Sequence, residues 1–148
     1  MAQAIIKELT KSYWMEIETI INYLANANNL QGVRAEEIKK ALLADVTEEL
    51  SHAQQLAKRI TVLGGAVPGS MDFRAEQKTL QPPSDTTDVT TVIKGVIDAE
   101  DGAIAQYKKI IKLCEGEDYV TQDLCITLLG SEEEHRREFV GFLKEYQK

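Results

Sequence analysis

Residues 64–85 read GGAVPGSMDFRAEQKTLQPPSD, and this stretch decides the topology. It carries no helical apolar period, and Gly69, Pro82 and Pro83 punctuate it, so it reads as one long connection. The sequence on either side is helical in pattern. Upstream, Ile5, Ile6, Leu9, Tyr13, Ile17, Ile20, Ile21, Leu24 and Ala27 recur at spacings of one, three and four, which predicts an amphipathic helix over about 4–30, ended by Asn28, Asn29, Gln31 and Gly32. A second stripe runs from Ile38 and Leu42 through Asp45, Glu49, His52 and Leu56 to Ile60 and Leu63, predicting a helix over 35–63 that stops at Gly64 and Gly65. Downstream, Val89, Ile93, Val96, Ile97, Glu100, Ile104, Tyr107, Ile111 and Cys114 predict a third helix over 86–114, with cap oxygens among Ser84 to Asp88 and an end at Gly116. Leu124, Cys125, Leu128, Leu129, Glu132, His135, Phe139, Phe142 and Leu143 predict a fourth over 120–146.

The connections therefore run short, long, short. Helices of this size are about 40 Å long, and a connection of about 20 residues reaches at most roughly 65 to 70 Å. The long connection can traverse the whole bundle and leave helices two and three parallel. The expected fold is all-α, a four-helix bundle with one long crossover, 64–85, between helices two and three.

Composition narrows the function. The 148 residues carry 17 basic and 24 acidic side chains, a formal charge of -7, and are 43% hydrophobic and 6% aromatic, which suits one domain over 1–148. No apolar run approaches the length of a membrane span, and Met1 to Thr10 lacks a signal-peptide pattern, so a cytoplasmic protein without a membrane partner is expected. The acid excess disfavours nucleic acid, which needs clustered Lys and Arg, and suits small cations. Cys114 and Cys125 lack the spacing of a zinc ribbon; both are placed near one end of the bundle, either as small buried hydrophobes or as a pair meeting across the Glu115 to Val120 turn.

The informative conflict is polar residues inside the apolar stripes. Only two histidines are present, and each follows a glutamate by three residues, in Glu49-Leu-Ser-His52 and Glu132-Glu-Glu-His135. Positions three apart share a helix face, so each pair points a carboxylate and an imidazole at one place. Helices one and three contribute Glu16 and Glu100, each seven residues before a tyrosine on the same face, Tyr23 and Tyr107. The two halves thus repeat one scheme, and an approximate internal two-fold follows. Four clustered buried carboxylates would repel and bear a heavy desolvation cost. Two divalent cations would neutralise them, and mixed carboxylate and imidazole donors suit iron, manganese or zinc. The candidate metal ligands are Glu16, Glu49, His52, Glu100, Glu132 and His135. Tyr23 and Tyr107 are expected to be hydrogen-bonded core tyrosines, the alternative being a redox role or contact with the ligand residues. Glu18, Glu48, Glu133 and Glu138 are expected on the solvated face, with Glu48 able to reach back to an imidazole, and Trp14 is expected to pack.

With these residues the chain resembles the ferritin-like superfamily, and within it the bacterioferritin branch. The resemblance rests on Glu16 to Tyr23, Glu49-Leu-Ser-His52-Ala53, Glu100, and Asp118-Tyr-Val-Thr-Gln-Asp123 leading to Glu132-Glu-Glu-His135. It implies two iron ions per subunit, with Glu49 and Glu132 bridging them, Glu16 and His52 completing one, and Glu100 and His135 the other. It implies a ferroxidase: Fe(II) oxidised by O2 or hydrogen peroxide for detoxification or storage, in a homo-oligomer. A second reading keeps the cage but makes it a di-iron or di-manganese peroxidase or oxidase of the rubrerythrin or manganese-catalase kind.

Departures from the family bear on these implications. Leu50 stands where bacterioferritins place the haem-ligating methionine, so no haem is expected. The chain ends thirteen residues after His135, short of the fifth helix of 24-subunit cages, which makes a twelve-subunit mini-ferritin of the archaeal Dps-like kind the nearer comparison. The loop around 64–85 would hold the short extra helix of such shells. The family's acidic residue before the fourth-helix glutamate is Ser131 here, which puts in question the contact that residue makes to the site.

Overall fold

The computed structural model describes residues 1–147; Lys148, the last residue of the expected domain, lies outside the described residues. Four helices form the molecule: α1 over Ala2–Asn29, α2 over Glu36–Val62, α3 over Val89–Cys114 and α4 over Tyr119–Tyr146. No strand occurs among the described residues. The α1–α2 connection turns at Gly32, whose φ of 100° is open to glycine at little cost, and runs through a short 3-10 turn at Val33–Ala35. Two helices start alike. Asp88 caps α3 by accepting from the Thr91 N–H, and Asp118 caps α4 by accepting from the Thr121 N–H. The third helix opens three residues later than the sequence pattern indicates because Asp85 spends its carboxylate on Thr87 instead, in a turn before the cap.

The long connection is laid along α1 from end to end. It leaves α2 with the Gly65 N–H donating to the Ile60 carbonyl, stacks Phe73 on Trp14 at 5.1 Å between ring centres, and ends with the Gln31 N–H donating to the Thr86 carbonyl. Between these points the Glu18 carboxylate accepts from the backbone N–H groups of Glu76 and Gln77, and Asn26 donates to the Leu80 carbonyl. Glu18 is therefore buried and not on the solvated face, because the crossover covers it. For the same reason Thr19, Asn22 and Asn26 are buried on α1 while Ile21 and Leu24 of the apolar stripe face outward. Trp14 packs as expected. In place of an extra helix, the connection holds only a three-residue 3-10 turn, Ser70–Asp72. Its path makes α2 and α3 parallel.

The core is split into two apolar halves. One contains Tyr23, Leu30, Ile38, Leu42, Leu80, Ile93, Val96 and Phe139. The other contains Ile5, Leu9, Leu56, Ile60, Tyr107, Ile110, Cys114, Cys125 and Leu128. Each buried large aliphatic side chain contributes roughly 1.5–3 kcal/mol, so these two halves stabilise the bundle against a band of buried polar groups at its middle.

Candidate metal centre

That band contains all six predicted ligand residues, each at most 6% exposed. Each helix contributes from its mid-length: Glu16 from α1, Glu49 and His52 from α2, Glu100 from α3, Glu132 and His135 from α4. Glu16, Glu49, His52 and Glu132 can bring one ligand atom each to within 4.8 Å of one another, and so can Glu49, Glu100, Glu132 and His135. Glu49 and Glu132 belong to both groups. The two imidazoles lie nearly parallel, 6.3 Å apart between ring centres. His52 Nδ1 lies 2.9 Å from Glu132 and 3.6 Å from Glu16. His135 Nδ1 lies 3.2 Å from Glu49 and 3.8 Å from Glu132.

The tyrosines are cross-paired. Tyr23 donates to Glu100 at 2.8 Å and Tyr107 to Glu16 at 2.7 Å, so each serves the glutamate of the opposite half, as a two-fold through the centre requires. Beyond His135, its Nε2 meets Glu48, while Asp45 stands 3.6 Å away. Glu48 is solvent-facing on its other side, as expected. Asp45 is a buried carboxylate that the sequence reading left unassigned; its only signal was a charged residue one turn before Glu49 on an apolar stripe. Leu50, at the position compared with the haem methionine, faces outward. Cys114 and Cys125 are both buried and both free thiols, in the apolar half beyond the polar band. Burial pushes the Cys125 thiol up to about 12, which keeps it protonated and unreactive as a nucleophile.

The electrostatics describe a cage short of positive charge. Burial pushes Glu49 up to about 7 although the His135 imidazole stands 3.2 Å away. Burial and the Glu132 carboxylate beside it push Glu100 well above the carboxylate range. Glu132 shows the opposite sign: burial would raise it, but Glu100 and His135 beside it and its hydrogen bond with His52 hold it well below the usual range. Burial would lower His135, yet Glu132, Glu49 and Asp45 carry it up to about 12. His52 is raised by Glu132 and Glu49 against the same opposing burial. Glu16 Oε2, Glu49 Oε1, Glu100 Oε2, Asp45 Oδ2 and His135 Nδ1 are buried without a hydrogen-bond partner. Unpartnered buried polar atoms are costly and rare; with Ser12 Oγ and Asn26 Oδ1 of α1 there are seven among the described residues, and four of the seven belong to the six predicted ligand residues. The donor set, carboxylates mixed with imidazoles, fits iron.

Known proteins share this fold. The sequence matches the ferritin-like domain model over residues 6–148. The DNA protection during starvation protein of Pyrococcus furiosus is 27% identical over 144 residues, covering 95% of this chain and 77% of that protein. The bacterial ferritin of Neisseria meningitidis serogroup B is 37% identical over 93 residues, and the match spans 62% of this chain but only 54% of that protein. The dodecameric thioferritin, a bacterioferritin-related protein of Bacteroides fragilis, superposes with a TM-score of 0.84 at 22% identity, covering 99% of this chain and 88% of that one. At that identity the likeness speaks for the fold. The chain belongs to the ferritin-like domain family.

Proposed function

We propose that this protein is a di-iron ferroxidase that takes Fe(II) as substrate at Glu16, Glu49, His52, Glu100, Glu132 and His135. The observation that carries the proposal is the set of orphaned, buried donor atoms converging from four helices. Two ferrous ions supply one electron each, enough to take O2 to hydrogen peroxide or hydrogen peroxide to water. The protein's residues do the rest. Glu49 and Glu132 are shared between the two groups and hold the ions as a pair; Glu16 with His52 and Glu100 with His135 complete each position. Tyr23 and Tyr107 fix the outer carboxylates by single hydrogen bonds, which leaves each glutamate a second oxygen for an ion. Loading exchanges protons on Glu49, Glu100 and the imidazoles for cations, so binding releases protons.

Storage needs an assembly with a cavity. The exposed apolar side chains Ile21, Leu24, Leu43 and Leu50 on α1 and α2 support self-association. We propose a homo-oligomer, without haem, DNA or a membrane partner: the net charge of -7 disfavours DNA, and no helix among the described residues is long and apolar enough to cross a membrane. The test is Fe(II)-dependent oxygen or peroxide consumption by ion-free protein, with light scattering and iron analysis of the product. Rapid consumption lost in Glu49→Ala and His135→Ala supports the proposal. Unchanged consumption in those variants refutes it, and peroxide turnover without net iron uptake would replace it with a peroxidase.

A further inference from the structure

The internal two-fold relates Glu49 to Glu132 and His52 to His135, and what surrounds the two imidazoles breaks that symmetry. One residue before Glu49 is Glu48, and four before it is Asp45; the equivalent positions before Glu132 are Ser131 and Leu128. The outer nitrogen of His135 accordingly faces two carboxylates of α2, in contact with Glu48 and 3.6 Å from Asp45. Among the described residues His52 has carboxylate contacts at Nδ1 alone. It instead lines, together with Glu48, Ser51, Gln55, Thr127, Leu128 and Ser131, a groove of about 240 Å³ between α2 and α4. The inner nitrogens, both Nδ1, point at the carboxylate cage in either half.

A carboxylate on the far nitrogen of a ligating imidazole orients the ring and strengthens it as a donor, and its loss typically costs 10–100-fold in metal affinity. Asp45 is suited to this: it is buried, and one of its oxygens has no partner. On the His52 side the groove is lined by Ser51, Gln55, Thr127, Leu128 and Ser131, and its one carboxylate, Glu48, is the one in contact with His135. We infer that the two ion positions are unequal, Asp45 and Glu48 making the one at His135 the tighter, and that the one at His52, open to the groove, loads second and empties first. Asp45 and Glu48 are positioning residues in this scheme, acting through His135. The groove between α2 and α4 becomes the port for the exchangeable ion. This inference rests on the di-iron reading and adds an order of filling to it.

Anaerobic titration of the ion-free full-length protein with Co(II), followed by its visible ligand-field bands, tests it without any turnover. The wild type should fill in two steps separated by at least about tenfold in affinity. Asp45→Asn with Glu48→Gln should weaken the first step by about 10–100-fold, leave the second unmoved, and merge the two. Ser131→Glu, which places a carboxylate on the His52 side, should tighten the second step alone. At one Zn(II) per chain, anomalous scattering should place the ion beside His135. A single step in the wild type, equal weakening of both steps in the double variant, or an ion beside His52 would each overturn the inference while leaving the di-iron reading standing. Absence of any cobalt bands would overturn both.

Discussion

Substituting Glu49 by Gln should separate what the site costs the fold from what it gives the ion. Glu49 is 1% exposed and shared by both ligand groups. Burial raises it from an ordinary carboxylate value to about 7. A carboxyl whose folded pKa is raised is stabilising when protonated, so its favourable contribution is complete below the unfolded value near 4.3 and is lost as pH rises through about 7. At pH 8 the ion-free protein therefore bears a penalty of up to about 4 kcal/mol at this residue. Glutamine has nearly the same shape and no charge. Ion-free Glu49→Gln should match or exceed the wild type by about 1–3 kcal/mol at pH 8, and the gain should vanish at pH 5. The loaded protein should behave oppositely. Zn(II) at about a hundredfold its dissociation constant stabilises by about 2.7 kcal/mol per position. For two positions in a chain of this size that is a rise of roughly 10–20 °C in Tm. Without the shared carboxylate, that rise should shrink to a few degrees. The assay is thermal unfolding followed by circular dichroism at fixed protein concentration, with and without Zn(II). A variant that is less stable without zinc and gains the full zinc increment would refute the reasoning and make Glu49 a structural acceptor.

Other parts of the fold give independent checks. Gly95 lies under the crossover, where an added Cβ would stand 2.5 Å from the Thr79 carbonyl oxygen, so Gly95→Ala should lower urea stability by about 1–3 kcal/mol. At Gly130, where nothing lies within 4 Å, the same change should stabilise by up to about 1 kcal/mol, and equal effects at both positions would dismiss the clash. Glu18→Ala should strand the Glu76 and Gln77 N–H groups at a cost of about 2–4 kcal/mol, seen as accelerated amide exchange along the crossover with the helices still protected. Unchanged exchange there would remove Glu18 from its role as the latch. Burial works against Asp118, yet hydrogen bonds from Thr121 and Arg59 and the Arg59 charge lower its pKa on balance. A lowered carboxyl stabilises above its unfolded value near 3.9 and loses that contribution as pH falls below it. The stability gap between wild type and Asp118→Asn should therefore be constant from pH 8 to 5 and close in acid; a gap that persists in acid would show that charge is not involved.

The sequence was most legible where chemistry interrupts pattern. Two glutamate–histidine pairs on apolar stripes pointed to the residues that converge at mid-bundle because a buried charge there has few stable explanations, and the glycines and prolines of residues 64–85 marked the crossover because they cannot sustain a helix. Apolar periodicity failed on α1. It selected Ile21 and Leu24, which are exposed, and passed over Thr19, Asn22 and Asn26, which are buried beneath the crossover and hydrogen-bonded to it. No local pattern can announce a face that is covered by backbone carbonyls and amides from 50 to 60 residues away. The tyrosines show a related limit. Spacing placed Tyr23 on the face of Glu16 and Tyr107 on that of Glu100, while the hydrogen bonds run crosswise between the halves. Asp45 was visible only as an anomaly, since its meaning depends on where His135, 90 positions later in the chain, places its outer nitrogen.

The central claim is that these six side chains form one di-iron centre. Anomalous diffraction at the iron edge, on crystals loaded anaerobically with Fe(II), tests it most directly. The account predicts two iron peaks roughly 3.5–4 Å apart, one among Glu16, Glu49, His52 and Glu132 and the other among Glu49, Glu100, Glu132 and His135. Iron found only at surface carboxylates, with the six side chains placed as they are without it, would contradict it.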